Sequence, residues 1–248
     1  MLLDVHLECC DDNGEMLKQL ADIGKPFNIS IVPGLMLPEH EVFKNGVYRP
    51  GSFYNKNIID SLKEIKDYPH ITFGQQGFLH YCSDCHKTLD ITKKRFKHDP
   101  WHENKCLYNN EKLAYDQFLF MKEGKKTIEK IIGVSPIIYC PPNHQYDENT
   151  KLSVIELGYE YLAIKGMINI SPYTEEGLKI LPERKIGSFG EIFYTHYDEI
   201  ENKFDKCAKV IKSSKPLSEI KFKDSSVYSS LNEMLVTASK FARDKGLR

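Results

Sequence analysis

The sequence predicts an α/β protein whose strands run parallel, and three observations carry that prediction. Residues 3–34 read as strand, helix, strand, an order that gives a parallel pair joined by a right-handed crossover. Short β-branched runs then alternate with segments of helical period along the chain. At 248 residues the chain can bury a sizeable core, and single α/β barrels occupy this length. No internal boundary shows, so residues 1–248 read as one domain.

The first strand rests on Leu3, Val5, Leu7 and Cys9 alternating with Asp4, His6 and Glu8. The three polar residues share one side, and such a row is expensive to bury unless it meets a metal or hydrogen-bonding partners. A strand with one wetted face is the plainer reading. Asp11-Asp12-Asn13-Gly14 ends the strand, and Met16, Leu17, Leu20 and Ile23 follow at helical spacing up to a stop at Gly24-Lys25-Pro26. The two acids either cap that helix or form a carboxylate pair able to bind metal and take a proton. Residues 27–34 are the second strand and its turn.

Residues 35–55 lack periodicity and read as a long loop over one end of the fold. Ile58, Leu62 and Ile65 are in phase on a helix, and residues 70–73 give a third strand. That strand runs into Gly74-Gln75-Gln76-Gly77-Phe78-Leu79-His80, a polar, Gly-flanked turn of the kind that presents ligands at a strand's C-terminal mouth. Further on, residues 111–132 form a long amphipathic helix weakened at Gly124, residues 136–140 a strand closed by Pro141-Pro142-Asn143-His144, and residues 148–157 a helix. Residues 161–164, 178–182 and 191–196 complete the strands, while 200–211 and 227–245 are outer helices. Cys140, inside an apolar run, reads as core rather than ligand.

Between these elements, residues 81–107 form an inserted Cys/His loop. Cys82-x2-Cys85-x12-His98-x3-His102, with Cys106 four residues on, matches zinc-ligand spacing. Pro100 interrupts the helix a zinc finger needs between its histidines. The residues would instead close a zinc knot, with Cys106 replacing one histidine, or form a reduced surface loop.

Composition excludes several classes of function. Hydrophobic residues make up 41% and charged residues 28%, and 11% aromatics weigh against disorder. With 34 basic against 35 acidic residues, no field attracts nucleic acid. No run approaches the ~20 apolar residues of a spanning helix, and the N-terminus lacks the features of a signal peptide. Seven cysteines, an odd number, suit metal ligation or burial better than a disulfide framework. A cytoplasmic protein with reduced thiols, no membrane partner and an undetermined oligomeric state is expected.

The order of motifs resembles the polysaccharide deacetylase family, carbohydrate esterase family 4, from residue 1 to about 200. Asp11-Asp12-Asn13-Gly14 resembles the family's Asp-Asp-Gly, with one residue inserted. Gln76-Gly77-Phe78-Leu79-His80 is similar to its His-Gly-Tyr-x-His, with glutamine for the first histidine. Tyr139-Cys140-Pro141-Pro142-Asn143-His144 resembles its Phe-Arg-Pro-Pro-x-Gly loop, with Cys140 in place of the arginine. Tyr194-Thr195-His196 resembles its late strand carrying a catalytic histidine. The resemblance implies a distorted (β/α) barrel of about seven strands with a divalent metal, zinc foremost, at the strand C-termini.

On that resemblance Asp12 and His80 hold the metal, Gln76 is a weak or absent third ligand, Asp11 takes the proton from water, and His196 protonates the leaving amine. Tyr139, Pro142, His144 and Gln76 line the substrate groove. The implied reaction removes an N-acetyl group from an amino sugar or polysaccharide precursor. Since Gln76 removes a ligand, His6, Glu8 or a water would compensate. Two other readings stand: a degenerate deacetylase-like protein that binds a glycan without turnover, and a zinc-knuckle interaction module on an inert barrel.

Overall fold

The computed structural model describes residues 1–8, 14–37, 54–80, 89–90, 95–96, 114–166 and 170–225, with 89–90, 95–96 and 114–116 given in backbone only. Seven parallel strands close on themselves: β1 (Leu2–Leu7), β2 (Phe27–Ile31), β3 (Ile71–Gln76), β6 (Ile138–Cys140), β7 (Tyr161–Lys165), β9 (Leu178–Lys185) and β10 (Ile192–His196). They stand in the order β10-β1-β2-β3-β6-β7-β9, and pairing of β9 with β10 completes the barrel. Closure leaves these strands without an edge. Two short strands extend β9 outward: β8 (Tyr173–Glu175) pairs with it antiparallel, and β11 (Lys223–Asp224) joins β8. Within 81–107 the described part is a two-residue antiparallel pairing of β4 (Leu89–Asp90) with β5 (Arg95–Phe96).

A closed parallel barrel buries both faces of every strand, so alternating residues meet two different interiors. The outward Leu3, Val5, Leu7, Phe27, Ile29 and Ile31 pack beneath α1 (Glu15–Ala21), α2 (Lys56–Ile65) and α5 (Ile200–Lys212). Ile58, Leu62 and Ile65 form the buried stripe of α2 that the spacing predicts, each contributing about 2 kcal/mol of apolar burial. Asn55 caps this helix by accepting from Ile58 N at 2.9 Å. On the far side, α3 (Ala114–Ile131) and α4 (Glu148–Glu156) cover β6 and β7. Asp147 and Thr150 form a reciprocal capping box at the start of α4.

Several boundaries differ from expectation for local reasons. The first helix starts at Glu15, and its N-cap is Gly14, whose φ of 79° favours glycine and which makes no side-chain cap. The third strand runs on to Gln76 and the ninth to Lys185, although Pro182, Glu183 and Arg184 interrupt the apolar pattern. Pro182 is tolerated because the β9–β10 ladder begins only at Glu183, paired with Ile192. The expected helix at 227–245 lies outside the described residues.

Candidate active site in the barrel mouth

The barrel interior is layered. Leu2, Ile138, Tyr161, Leu181 and Ile192 make an apolar floor. Above it the inward positions turn polar, with Asp4 and His6 on β1, Ser30 on β2, Gln76 on β3, Cys140 on β6, Glu183 on β9 and Tyr194 on β10. Glu8, His80, His144 and His196 lie at or just past the ends of β1, β3, β6 and β10, which places them at the C-terminal mouth. His80 and His144 both have left-handed backbone, φ 59° and 52°, an unusual state for a non-glycine residue that recurs at functional sites.

Glu8 is the hub of the mouth. Its Oε1 accepts a 2.6 Å hydrogen bond from Gln76 Nε2 and lies 3.2 Å from His80 Nε2, 3.6 Å from His196 Nε2 and 3.9 Å from His6 Nδ1. Burial opposes its ionisation, but the charge and hydrogen bond of His80, aided by His196 and His6, outweigh that and hold the carboxyl well below the usual range. The amide of Gln76 also lies 3.1 Å from His80 Nε2 and 3.3 Å from His6 Nδ1. Burial lowers the pKa of His196, with Glu8 pulling the other way.

One layer down, His6 is the junction. Its Nε2 donates to Glu183 Oε2 at 3.2 Å and lies 3.8 Å from Cys140 Sγ, while Tyr194 stacks on the ring at 5.0 Å between centroids. Burial pushes the imidazole down to about 4, so His6 is neutral at physiological pH. Glu183 Oε2 also accepts from His144 Nε2 at 3.1 Å. Asp4, held by Ser30 Oγ at 2.9 Å, is pushed well above the carboxylate range by burial and by Glu183. Burial, with the same acids, likewise raises the Cys140 thiol. Among the described residues, no N–H or hydroxyl donor reaches Asp4 Oδ1, Glu183 Oε1 or Gln76 Oε1, a costly state in an ordinary core.

Among the described residues, two sets of donors lie close enough to hold a metal ion: His6, Cys140, His144 and Glu183 in the interior, and His6, Glu8 and His196 at the mouth. Imidazole nitrogens with carboxylate oxygens are ordinary donors for a divalent transition metal, and the unpartnered carboxylate oxygens fit that chemistry.

The structure brings together His80, His196, Gln76 and His144 from the residues singled out in the sequence. Tyr139 stands apart. It is fully buried among Met121, Val154, Tyr159 and Leu162 on the outer side of β6, so it does not reach the groove, and its neighbour Cys140 points inward instead. Pro142 is buried in the turn that carries His144. Cys140 is core by burial, as expected, yet its thiol faces His6 and Glu183. Asp11, Asp12, Cys82, Cys85, His98, His102 and Cys106 lie outside the described residues. Glu183 carried no signal of its own, since it follows a proline in a charged run, and Tyr194 entered only as part of the motif around His196, whereas the Asp4, His6, Glu8 row was visible as a period-two pattern.

A parallel seven-stranded barrel with a polar C-terminal mouth defines the class, and the chain has a divergent polysaccharide-deacetylase-like fold. No family model and no curated protein matches the sequence. Among solved structures, the deacetylase domain of BpsB from Bordetella bronchiseptica is similar at a TM-score of 0.50 and 10% identity, over 79% of this chain and 72% of that one. The 4-alpha-glucanotransferase from Thermococcus litoralis is similar at 0.51 and 10%, over 93% of this chain and 40% of that one. The Streptococcus pyogenes deacetylase PplD, in complex with acetate, gives 0.48 and 13%, over 73% of this chain, which spans 62% of that protein's length. At such identities the likeness establishes the fold alone. No described helix is long and apolar enough to cross a membrane.

Proposed function

We propose that the barrel mouth hydrolyses an amide, removing an N-acetyl group from an amino sugar or polysaccharide precursor with the help of a divalent metal, zinc by its donors. One observation carries this reading. A carboxylate, Glu8, is ringed by the imidazoles of His80, His196 and His6 at the C-terminal end of a closed parallel barrel. The likeness to a deacetylase domain supports the same fold for the chain.

His80 and Glu8 would hold the ion together with Asp12, the ligand implied by the resemblance. When bound, such an ion polarises the acetamide carbonyl and lowers the pKa of water. Gln76 acts as a positioning residue, since its 2.6 Å hydrogen bond fixes the Glu8 carboxylate. His196 is partly exposed and lies 3.6 Å from Glu8, a position from which it would give a proton to the departing amine. Asp11 would take the proton from water. The described cysteines, Cys140 and Cys207, are free thiols, in keeping with a reducing cytoplasmic setting.

Acetate release from N-acetylated amino-sugar oligomers by the zinc-loaded full chain tests the proposal. His196→Ala should lower kcat by ~10²–10⁴ with little change in KM, the scale of general acid catalysis. His80→Ala should abolish turnover and metal binding at the mouth. Glycan binding without acetate release, or turnover indifferent to both substitutions, would overturn the reading.

A further inference from the structure

Beneath the mouth, four donor atoms from three strands and one turn converge on a buried point. Glu183 Oε2 lies 3.2 Å from His6 Nε2, 3.1 Å from His144 Nε2 and 4.0 Å from Cys140 Sγ, and Cys140 Sγ lies 3.8 Å from His6 Nε2. We propose that the barrel interior binds a structural zinc ion through His6 Nε2, Cys140 Sγ, His144 Nε2 and Glu183 Oε2, separate from the hydrolytic centre at the mouth.

Four of the six donor separations are close to the edges of a tetrahedron. Zinc bond lengths give ligand-to-ligand edges of about 3.4 Å between nitrogen and oxygen and about 3.6 Å where sulfur takes part. The four named separations lie within a few tenths of an ångström of these values. All four donors fall within 4.8 Å of one another, so no pair has to close by more than about 1.4 Å around an ion.

Charge points the same way. A thiolate and a carboxylate neutralise a divalent cation, which offsets the cost of holding the fully buried Glu183 side chain ionised. The mixed sulfur, nitrogen and oxygen set selects zinc over magnesium or calcium, which prefer oxygen.

The surroundings support the ligands. Metal at His6 Nε2 would put the ring proton on Nδ1, the side that faces the Gln76 amide at 3.3 Å and Glu8 at 3.9 Å. Tyr194 stacks on His6 and lies 5.2 Å from the His144 ring. Asn143 and His144 both adopt left-handed backbone, φ 53° and 52°, and that turn delivers His144 over the interior. Such conformations persist where the surroundings over-determine them. Four protein donors leave no open position, which makes the ion structural: it ties β1, β6, the turn after β6 and β9 across the barrel.

The test uses the full chain in a Cys82→Ser/Cys85→Ser background, stripped of metal and reloaded with cobalt(II) as a spectroscopic stand-in for zinc. The reloaded protein should show a thiolate-to-cobalt charge-transfer band in the near ultraviolet and a tetrahedral visible spectrum. Adding Cys140→Ser should remove the charge-transfer band. His144→Gln, in a turn rather than a strand, should lower zinc content by one equivalent while far-ultraviolet circular dichroism stays unchanged. His80→Ala should keep the band, whatever it does to turnover, so the mouth and the interior are read separately. A band absent before Cys140→Ser, a band that persists after it, or zinc content unchanged in His144→Gln would each overturn the proposal.

Discussion

Replacing Gly124 with alanine should destabilise the protein, although the residue lies inside α3 and alanine is the better helix former by about 1 kcal/mol. A Cβ at this position lands on the buried Gln75 amide, 2.8 Å from Cδ and 3.1 Å from Oε1. Gln75 has little freedom to move. Its Nε2 donates to Gly77 O at 2.8 Å and Met121 O at 3.2 Å, and its Oε1 accepts from Tyr159 Oη at 2.5 Å. Displacing the amide forfeits three buried hydrogen bonds at about 1 kcal/mol each, so after the helix gain the net loss is about 2 kcal/mol. In a Gln75→Ala background the space is open and the sign should reverse, to a gain of about 1 kcal/mol from Gly124→Ala. Urea denaturation of the four proteins in the cycle gives a coupling of about 3 kcal/mol if this holds. Additive effects, or a more stable Gly124→Ala single variant, would refute it. The result also bears on the site, because Gly77 begins the turn that ends in His80.

Further outcomes follow from the buried polar groups and caps. His6 is neutral in the fold and protonates in the unfolded chain below 6.5, so its contribution falls as pH drops from 6.5 towards about 4. Asp4 has the opposite sign: raised in the fold, it keeps its proton where the unfolded chain has lost one, and its contribution grows as pH falls towards 3.8. In metal-free protein, Asp4→Asn should therefore lose more stability than the unsubstituted chain between pH 6.5 and 4.5, read from urea midpoints at the two pH values. Tyr54→Phe leaves the buried Val32 N–H and Leu7 carbonyl without the hydroxyl that joins them and should cost about 2 kcal/mol in the same assay. Asp147→Ala removes the cap of α4 and the partner of Gln117 Nε2, and thermal melts should show a loss of about 1–2 kcal/mol.

Much of this architecture was legible in local pattern. A period-two run marked β1, a run closed by a turn marked β2, the in-phase Ile58, Leu62 and Ile65 marked α2, and the strand, helix, strand order implied parallel pairing, because these signals depend on neighbours along the chain. The polar side of β1 was equally visible, but whether Asp4, His6 and Glu8 faced water was not. A sheet that closes turns what would be a wetted face into an interior, and closure depends on β9 meeting β10 nearly 180 residues after β1 begins.

The site divides along the same line. His80 and His196 could be read from motifs that sit at strand ends, where a few consecutive residues carry the signal. The placement of Cys140 against His6, the recruitment of Glu183 and the exclusion of Tyr139 could not, since adjacent residues on a strand point to opposite faces and only the packed barrel assigns each face its contents. By itself, then, the sequence determined the parallel α/β elements and the residue types at the strand ends. Tertiary structure decided which of those side chains share one interior, because a ligand set drawn from β1, β6 and β9 exists only once distant strands are brought within hydrogen-bonding distance.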